Sequence, residues 1–126
     1  RGVELTAEQL MSAAEARGRL DAAVREWFGT RDLLLTPTVQ VMPFPTEKKW
    51  PREIDGVALE TYVEWMRSCP VISATRCPAV SVPGGFVDGL PVGLQLVGAP
   101  WSDDRLLRLT RVYERATRFA EQAPQL

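Results

Sequence analysis

The first quarter of the chain repeats at helical spacing. Side chains that are nearly all apolar or small recur at three- and four-residue steps, at Leu10, Ala13, Ala14, Arg17, Leu20, Val24, Trp27 and Phe28. Just before this stripe, Thr6 and Gln9 fit a capping box, in which each side chain bonds the other residue's backbone N–H. Gly29 is a typical helix end. The pattern predicts one amphipathic helix over residues 6–28.

A short apolar run and a proline-rich stretch follow. The run from Leu33 to Thr36 stops at Pro37 and contains no polar alternation, so it predicts a strand over 33–36 that is buried on both faces of a parallel or mixed sheet. Prolines then recur with Phe44 and Trp50 between them. Because proline stiffens the backbone and aromatic rings need packing partners, we expect an ordered loop over 37–56.

Helical spacing returns over residues 57–68. Four apolar side chains fall on one side of that stretch, at Leu59, Tyr62, Val63 and Met66. Proline has no N–H to donate, so Pro70 is expected to end the helix.

Two strand-like runs then flank Asp88-Gly89, a dipeptide typical of tight hairpin turns. The runs predict a hairpin over 79–97 in the same sheet as strand 33–36. Four of its side chains are expected to be largely buried: Ser81, Val92, Leu94 and Leu96. The stretch 83–85, Pro-Gly-Gly, is expected to break the first strand.

The last element predicted is a helix over 102–121. Ser102 is placed to cap it, and two aspartates follow in the first turn, where negative charge is favoured. Its inner side is expected to carry Leu106, Leu109, Tyr113, Ala116 and Ala120. Five arginines on the same stretch are interpreted as a solvated face: Arg105, Arg108, Arg111, Arg115 and Arg118.

Composition narrows the chemistry. The chain has 126 residues and a net charge of −1, which gives no field to attract nucleic acid or a membrane surface. It has no histidine, which excludes Ser-His and Cys-His nucleophile pairs, and no metal site or cofactor is predicted.

Cys69 and Cys77 are expected to be unpaired thiols in a reducing cytoplasm. Lys48 and Lys49 lie in a charged, proline-rich loop, and no serine of the chain lies in a Gly-Ser-rich turn, so no Ser-Lys catalytic pair is predicted. Composition and spacing alone indicate an α/β piece with about three strands.

Several segments resemble the C-terminal part of the amidase signature family. These are "DLLLTPT", "YVEWMRSCPVISATRCPAVSVPGGF", "GLPVGLQLVG" and a final helix that begins D-x-x-L-L. The resemblance runs from about Thr6 to Ala116, with the segments in the family's order. It implies the C-terminal portion of an α/β/α fold with a mixed β-sheet flanked by helices. It also implies amide hydrolysis by a Ser-cisSer-Lys triad, which lies in the N-terminal half of such enzymes. The chain opens on Arg1 and lacks that half, so residues 1–126 are expected to be one C-terminal fragment with no catalytic residue.

The function predicted first is therefore the C-terminal part of a stand-alone cytoplasmic amidase, inactive as this fragment alone. Its partners would be a small amide substrate and the N-terminal remainder of the same protein, and homo-oligomerisation is left open. Candidate substrate-binding residues are Phe44, Tyr62, Trp65, Met66 and Ser73. Two alternatives remain: the ammonia-generating component of a tRNA-dependent amidotransferase, and a non-catalytic binding or assembly module.

Two positions depart from the family pattern. Arg76 stands where many relatives have glycine, which would allow a tight backbone path, so the local loop and the pocket shape are in question. Ser73 stands where some relatives have asparagine. An amide-binding role at that position is correspondingly weaker.

Overall fold

The computed structural model describes residues 4–122, except for the side chain of Ala120. Three α-helices and five strands form its regular structure. The helices are α1 (Ala7–Phe28), α2 (Ser68–Ser73) and α3 (Asp103–Thr117). The strands are β1 (Leu34–Pro37), β2 (Glu53–Ile54), β3 (Val57–Ala58), β4 (Ala79–Val87) and β5 (Leu90–Val97). Among the 3₁₀ turns are those at Glu64–Met66 and Phe119–Glu121. The predicted α/β class is confirmed.

Helix α1 begins at the predicted capping box. The Thr6 hydroxyl accepts the Gln9 N–H at 3.2 Å, and the side-chain oxygen Oε1 of Gln9 accepts the Thr6 N–H at 2.9 Å. The helix ends at Phe28, and Gly29 caps it by donating its N–H to the carbonyl of Glu26 at 3.0 Å. Both predicted boundaries are confirmed.

The predicted hairpin is also confirmed. Strands β4 and β5 pair antiparallel, and the turn residues Asp88 and Gly89 both have positive φ, at 51° and 78°. Positive φ at both central residues is the geometry of a type I′ turn, which suits the twist of a hairpin. Strand β1 pairs antiparallel with β5, so the sheet order is β1-β5-β4 with β5 in the middle.

Two expectations about these strands were wrong. Strand β1 is an edge strand of an antiparallel sheet and is not buried on both faces, because Leu35, on the face that carries Leu96, is 56% exposed. Strand β4 does not break at Pro83; it continues to Val87 with a bulge between Pro83 and Gly85. Proline is tolerated there because β4 is the other edge strand and need not donate a further ladder bond.

The burial predicted for the hairpin was right at one position of four. Leu96 is 1% exposed, whereas Val92 and Leu94 are half-buried and Ser81 is exposed. Ser81 lies opposite Gln95, on the sheet face away from Leu96; it belongs to the edge strand β4 and is exposed, whereas Gln95 on the central strand of the same face is buried.

The predicted helix over 57–68 was wrong. Strands β2 and β3, of two residues each, pair antiparallel and are joined by a tight turn at Asp55-Gly56. Part of the predicted loop over 37–56 is therefore strand as well. Helical structure starts later, with the 3₁₀ turn and then α2. Pro70 does not end a helix; it lies in the first turn of α2, where its missing N–H would have no intrahelical partner anyway.

The core lies between α3 and one face of the three-stranded sheet. Val82, Leu96 and Leu106 form its centre, and four half-buried side chains pack around them: Leu33, Val80, Leu94 and Tyr113. The Tyr113 hydroxyl donates to the carbonyl of Pro83 at 2.8 Å, which ties α3 to the bulge in β4.

The last predicted helix is shorter than expected. Arg118 adopts left-handed φ, at 52°, and separates α3 from the 3₁₀ turn at Phe119–Glu121. On its inner side Leu106 is buried, Leu109 and Tyr113 are half-buried, and Ala116 is exposed, against the prediction. The prediction for the Ala120 side chain lies outside the described residues. All five arginines are exposed, as a solvated face requires.

Candidate functional site

An aromatic cluster forms where the proline-rich loop meets the 3₁₀ turn at Glu64–Met66. Trp65 stacks edge-to-face on Phe44, with ring centroids 5.7 Å apart, and on Tyr62 at 5.8 Å. Tyr62 in turn contacts the buried Trp50 at 6.4 Å. The guanidinium of Arg52 lies 3.9 Å from the Trp50 ring centroid, a cation–π contact. Phe44 and Trp50, which were predicted to lie in the loop, therefore pack on Trp65 and Tyr62, which were predicted to lie in the helix over 57–68.

Glu64 fixes the backbone that presents this cluster. Its carboxylate accepts the N–H of Glu60 at 2.7 Å and the hydroxyl of Thr61 at 3.0 Å. The Glu60 N–H, and then the Thr61 hydroxyl, lower the pKa of Glu64 below its usual value because both bonds favour the charged form. The Gln40 side chain donates to the carbonyl of Glu64 at 3.0 Å, which links the turn to the loop after β1.

An apolar groove of about 600 Å³ opens between this loop and the sheet. Its apolar lining residues include Leu35, Val39, Met42, Phe44, Trp65 and Leu94. The polar side chains in the wall are Thr36 and Gln40, and none of its lining residues is charged. This volume is in the range of small-molecule sites, and the wall suits an uncharged apolar group.

The predicted site residues separate into two groups. Phe44 and Trp65 line the groove, and Tyr62 supports Trp65 from behind without lining it. Met66 is half-buried in the 3₁₀ turn, and neither it nor Ser73 lines the groove. Ser73 is exposed at the end of α2, where its hydroxyl donates to the carbonyl of Cys69 at 3.2 Å.

Sequence reasoning missed the part of the wall formed by Val39, Met42 and Leu94. Val39 to Met42 is a mostly apolar run after Pro37, and that run was the available signal. Leu94 was assigned to the core, but it is half-buried and borders both the core and the groove.

Arg76 has the left-handed backbone that the departure from glycine suggested. Its φ is 58°, a region that costs a non-glycine residue about 1 kcal/mol or more. Its guanidinium lies 3.7 Å from the carboxylate of Asp21 on α1, and Arg17 lies 3.7 Å from the same carboxylate. Arg76 therefore has a strained backbone, and its ion pair with Asp21 joins α1 to the segment that leads into β4.

Other chemical groups are sparse in the described part of the chain. Cys69 and Cys77 are both free thiols, and the Cys69 thiol donates to the carbonyl of Thr38 at 3.2 Å. Within residues 4–122 no three potential metal ligands cluster. Among the helices described, none combines the length and the apolar character that crossing a membrane requires.

Comparison with known proteins identifies the family. The Amidase family model matches residues 2–107. The A component of the glutamyl-tRNA(Gln) amidotransferase of Dehalococcoides mccartyi is 32% identical over 117 residues, which are 92% of this chain and 23% of that protein. The same component from Symbiobacterium thermophilum is 40% identical over 99 residues, 79% of this chain and 19% of that protein. A bacterial aryl acylamidase of the amidase signature family superposes with a TM-score of 0.78 at 25% identity, covering 94% of this chain and 25% of that one.

The fold and the family match together place this chain among the amidases. It belongs to the amidase signature family, as the resemblance of its Pro/Gly motifs predicted. The chain spans about a quarter of the length of the relatives it matches. The family includes hydrolytic amidases and the A components of amidotransferases, and both kinds occur among the matches.

Proposed function

We propose that this chain is the C-terminal part of a cytoplasmic amidase that hydrolyses carboxamides. Its role is to complete the enzyme's sheet and to form an apolar wall for the acyl group of the substrate. The observation that carries this proposal is the uncharged groove beside Phe44 and Trp65, in a chain of the amidase family. Stacked aromatic rings give such a wall a fixed shape, which favours a flat or branched apolar acyl group.

The chemistry itself is assigned to polypeptide outside this chain. A serine nucleophile needs a base within hydrogen-bond reach. The hydroxyls of Ser68 and Ser73 donate to main-chain carbonyls, and Ser81 shares a hydrogen bond with Thr38. Lys48 and Lys49 are exposed, and no hydrogen bond joins either to a serine within residues 4–122. We therefore place the Ser-cisSer-Lys triad in the N-terminal remainder of the enzyme.

The test is made on the reading frame that precedes the codon for Arg1. Polypeptide from this frame, joined to the chain, is expected to carry a lysine and a Gly-Ser-rich stretch and to hydrolyse anilides and primary carboxamides. Replacing Trp65 by alanine should raise KM for aromatic acyl substrates more than for acetamide, while Trp101→Ala, far out in solvent, should leave both unchanged. A frame without the lysine and serines overturns the proposal and favours a non-catalytic binding or assembly module.

The second candidate is the ammonia-generating component of a tRNA-dependent amidotransferase. Its support is the similarity to the A components of such enzymes at 32% and 40% identity. In that case the joined polypeptide would need partner proteins, and release of ammonia from glutamine would rise when they are added. Hydrolysis of anilides that is independent of any partner favours the stand-alone amidase, whether the enzyme is a monomer or a homo-oligomer.

A further inference from the structure

The sheet contributes side chains of a single face to the groove of about 600 Å³. Leu35 on β1 pairs with Leu96, and alternation along β5 places Leu94 and Val92 on the same face as Leu96. Leu35, Leu94 and Val92 all line the groove, together with Val87 at the end of β4. The groove therefore lies on the same sheet face as α3, whose core includes Leu96.

The bulge in β4 is what brings Val87 to this face. Val82 belongs to the α3 core, and Val87 follows it five residues later on the same strand. In a regular strand an odd separation puts two side chains on opposite faces. The bulge inserts Gly84, which has no partner on β5, so the alternation is shifted by one residue beyond it. Val87 thus returns to the face of Val82, where it lines the groove.

Two side chains from the C-terminal segment fix the bulge on either side of the inserted residue. The Tyr113 hydroxyl donates to the carbonyl of Pro83 at 2.8 Å. Phe119, in the last 3₁₀ turn, packs over Gly85, where an added Cβ would lie 3.4 Å from the tip of the ring. Gly85 has a φ of 107°, which glycine adopts readily. Neither Tyr113 nor Phe119 lines the groove.

We propose that Tyr113 is a positioning residue for the groove, because its bond to the bulge sets where Gly84 and Val87 stand in the wall. The proposal rests on the proposed function, in which this wall receives the acyl group of the substrate. Gly84 lies close against β5, since an added Cβ would be 3.3 Å from the backbone nitrogen of Leu94. The wall at the bulge is therefore backbone, which cannot adjust by a change of rotamer when the bulge moves.

The hydroxyl of Tyr113 has to be separated from its ring, which packs against the core. Tyr113→Phe keeps the ring and removes only the bond to Pro83. Thr110→Val is the matched control on the same helix. It removes a hydroxyl whose 2.9 Å bond goes to the carbonyl of Leu106, within α3. A loss of stability that does not involve the bulge should leave the groove unchanged.

The test is an NMR titration of the ¹⁵N-labelled chain with benzamide, an uncharged aromatic carboxamide. In the wild type the Trp65 indole N–H signal and the Gly84 backbone amide should shift and saturate together. Tyr113→Phe should weaken this saturation about threefold, the effect expected for one hydrogen bond of ordinary strength. Thr110→Val should saturate at the wild-type concentration, even if its Tm is lower.

A smaller groove serves as an internal reference. It has a volume of about 300 Å³ and lies between α1 and the sheet, beside Leu34 and Val97, with Trp27 in its wall. Leu34 and Val97 are on the face opposite to Leu96, so the bulge does not shape this groove. Any response of the Trp27 indole signal to benzamide should be the same in the wild type and in Tyr113→Phe.

A double-mutant cycle tests whether Tyr113 acts through the wall. Val87→Ala should weaken the saturation by itself, because it removes part of the wall. Tyr113→Phe added to Val87→Ala should then have a smaller effect than it has alone, since two residues that act through one element are not independent. Effects that multiply without coupling would overturn the proposal.

The remaining outcomes separate this proposal from the proposed function. If the wild type shows no saturable shift at Trp65, both the acyl wall and the role of Tyr113 are overturned. If benzamide saturates the wild type and Tyr113→Phe equally, or if Thr110→Val weakens saturation as much, only the role of Tyr113 is overturned. Should Tyr113→Phe fail to fold, Phe119→Leu replaces it: weaker saturation is expected, and unchanged saturation overturns the proposal.

Discussion

Helices α1 and α3 differ sharply in how they use the sheet. The 15-residue α3 buries Leu106 and Thr110 against β4 and β5. The 22-residue α1 buries no residue, and Leu10 and Met11 on its N-terminal half are 56% and 66% exposed. Helix α3 separates apolar from charged side chains much more sharply than α1 does, which favours burial of its apolar face. A helix also needs an apolar surface opposite its stripe, and within the described residues the N-terminal half of α1 has none, while its C-terminal half lies beside Leu34 and Val97.

The C-terminal half of α1 has a few contacts that fix its position. Trp27 and Val24 border the smaller groove beside Leu34 and Val97, and Asp21 forms its ion pairs with Arg17 and Arg76. In the proposed enzyme the remaining polypeptide covers the exposed stripe. The sheet and α3 are thus the packed region of this chain, and the N-terminal half of α1 is its uncovered region.

A matched pair of leucine truncations gives the largest expected contrast. Leu96→Ala should lower the free energy of unfolding by about 2–5 kcal/mol, because it opens a cavity in the α3 core. Leu10→Ala should change it by about 0.5 kcal/mol or less, because that side chain is already in water. Urea unfolding of both variants measures the contrast. Equal losses would contradict the division into a packed and an uncovered region.

A pair of glycine substitutions should differ in sign. Gly93→Ala places its Cβ against Thr38 and should destabilise the chain by about 1–3 kcal/mol. Gly18→Ala, in the interior of α1 with no atom within 4 Å of the new Cβ, should stabilise it by about 0.5–1 kcal/mol. Thermal unfolding of the two variants gives the comparison. Stabilisation by Gly93→Ala would show that Thr38 does not lie over β5 as described.

Two substitutions at position 76 distinguish the cost of backbone strain from the contribution of the Arg76–Asp21 ion pair to stability. Arg76→Gly and Arg76→Ala both remove the contact with Asp21, but only glycine adopts a φ of 58° without cost. The glycine variant should therefore be the more stable of the two by about 1 kcal/mol. Chemical unfolding of both proteins under the same conditions measures this difference. Indistinguishable stabilities would argue that the backbone at Arg76 is not left-handed.

Features that depend on residues close together in sequence were predicted correctly, whereas features that depend on tertiary contacts were not. The capping box at Thr6 and the turn at Asp88-Gly89 are set by a few neighbouring residues, and both were predicted. The failed helix over 57–68 shows the opposite case, since Leu59 and Tyr62 matched helical spacing while Asp55-Gly56 and the bonds of Glu64 imposed turns instead. The groove depends on residues from β1, β5 and the 3₁₀ turn. Pattern along the chain identified Phe44 and Trp65, but the other wall residues follow only from the tertiary arrangement.

The smallest effect is expected from acid, which should weaken the hydrogen bonds that Glu64 accepts in the turn beside the aromatic cluster. Hydrogen bonds to its carboxylate lower the pKa of Glu64 in the folded state, so this stabilisation is present above the unfolded-state pKa and is lost as pH falls through the lower folded-state value. Trp65 fluorescence and the Glu60 amide signal should therefore change in acid, below the usual range for glutamate. Glu64→Gln should remove that pH dependence, whereas Glu47→Gln in the exposed loop should retain it. The same transition in Glu64→Gln would assign it to another carboxyl group.

The measurement that tests the central claim most directly is an amide hydrolysis assay of this chain alone. If the chain supplies a wall of the site and other polypeptide supplies the nucleophile and base, purified chain should release no more product from anilides and primary carboxamides than buffer does. Ser73→Ala, Ser81→Ala and, as a control on exposed α1, Ser12→Ala should behave in the same way. Turnover that persists through purification and is lost in Ser73→Ala or Ser81→Ala, but not in Ser12→Ala, would contradict the account.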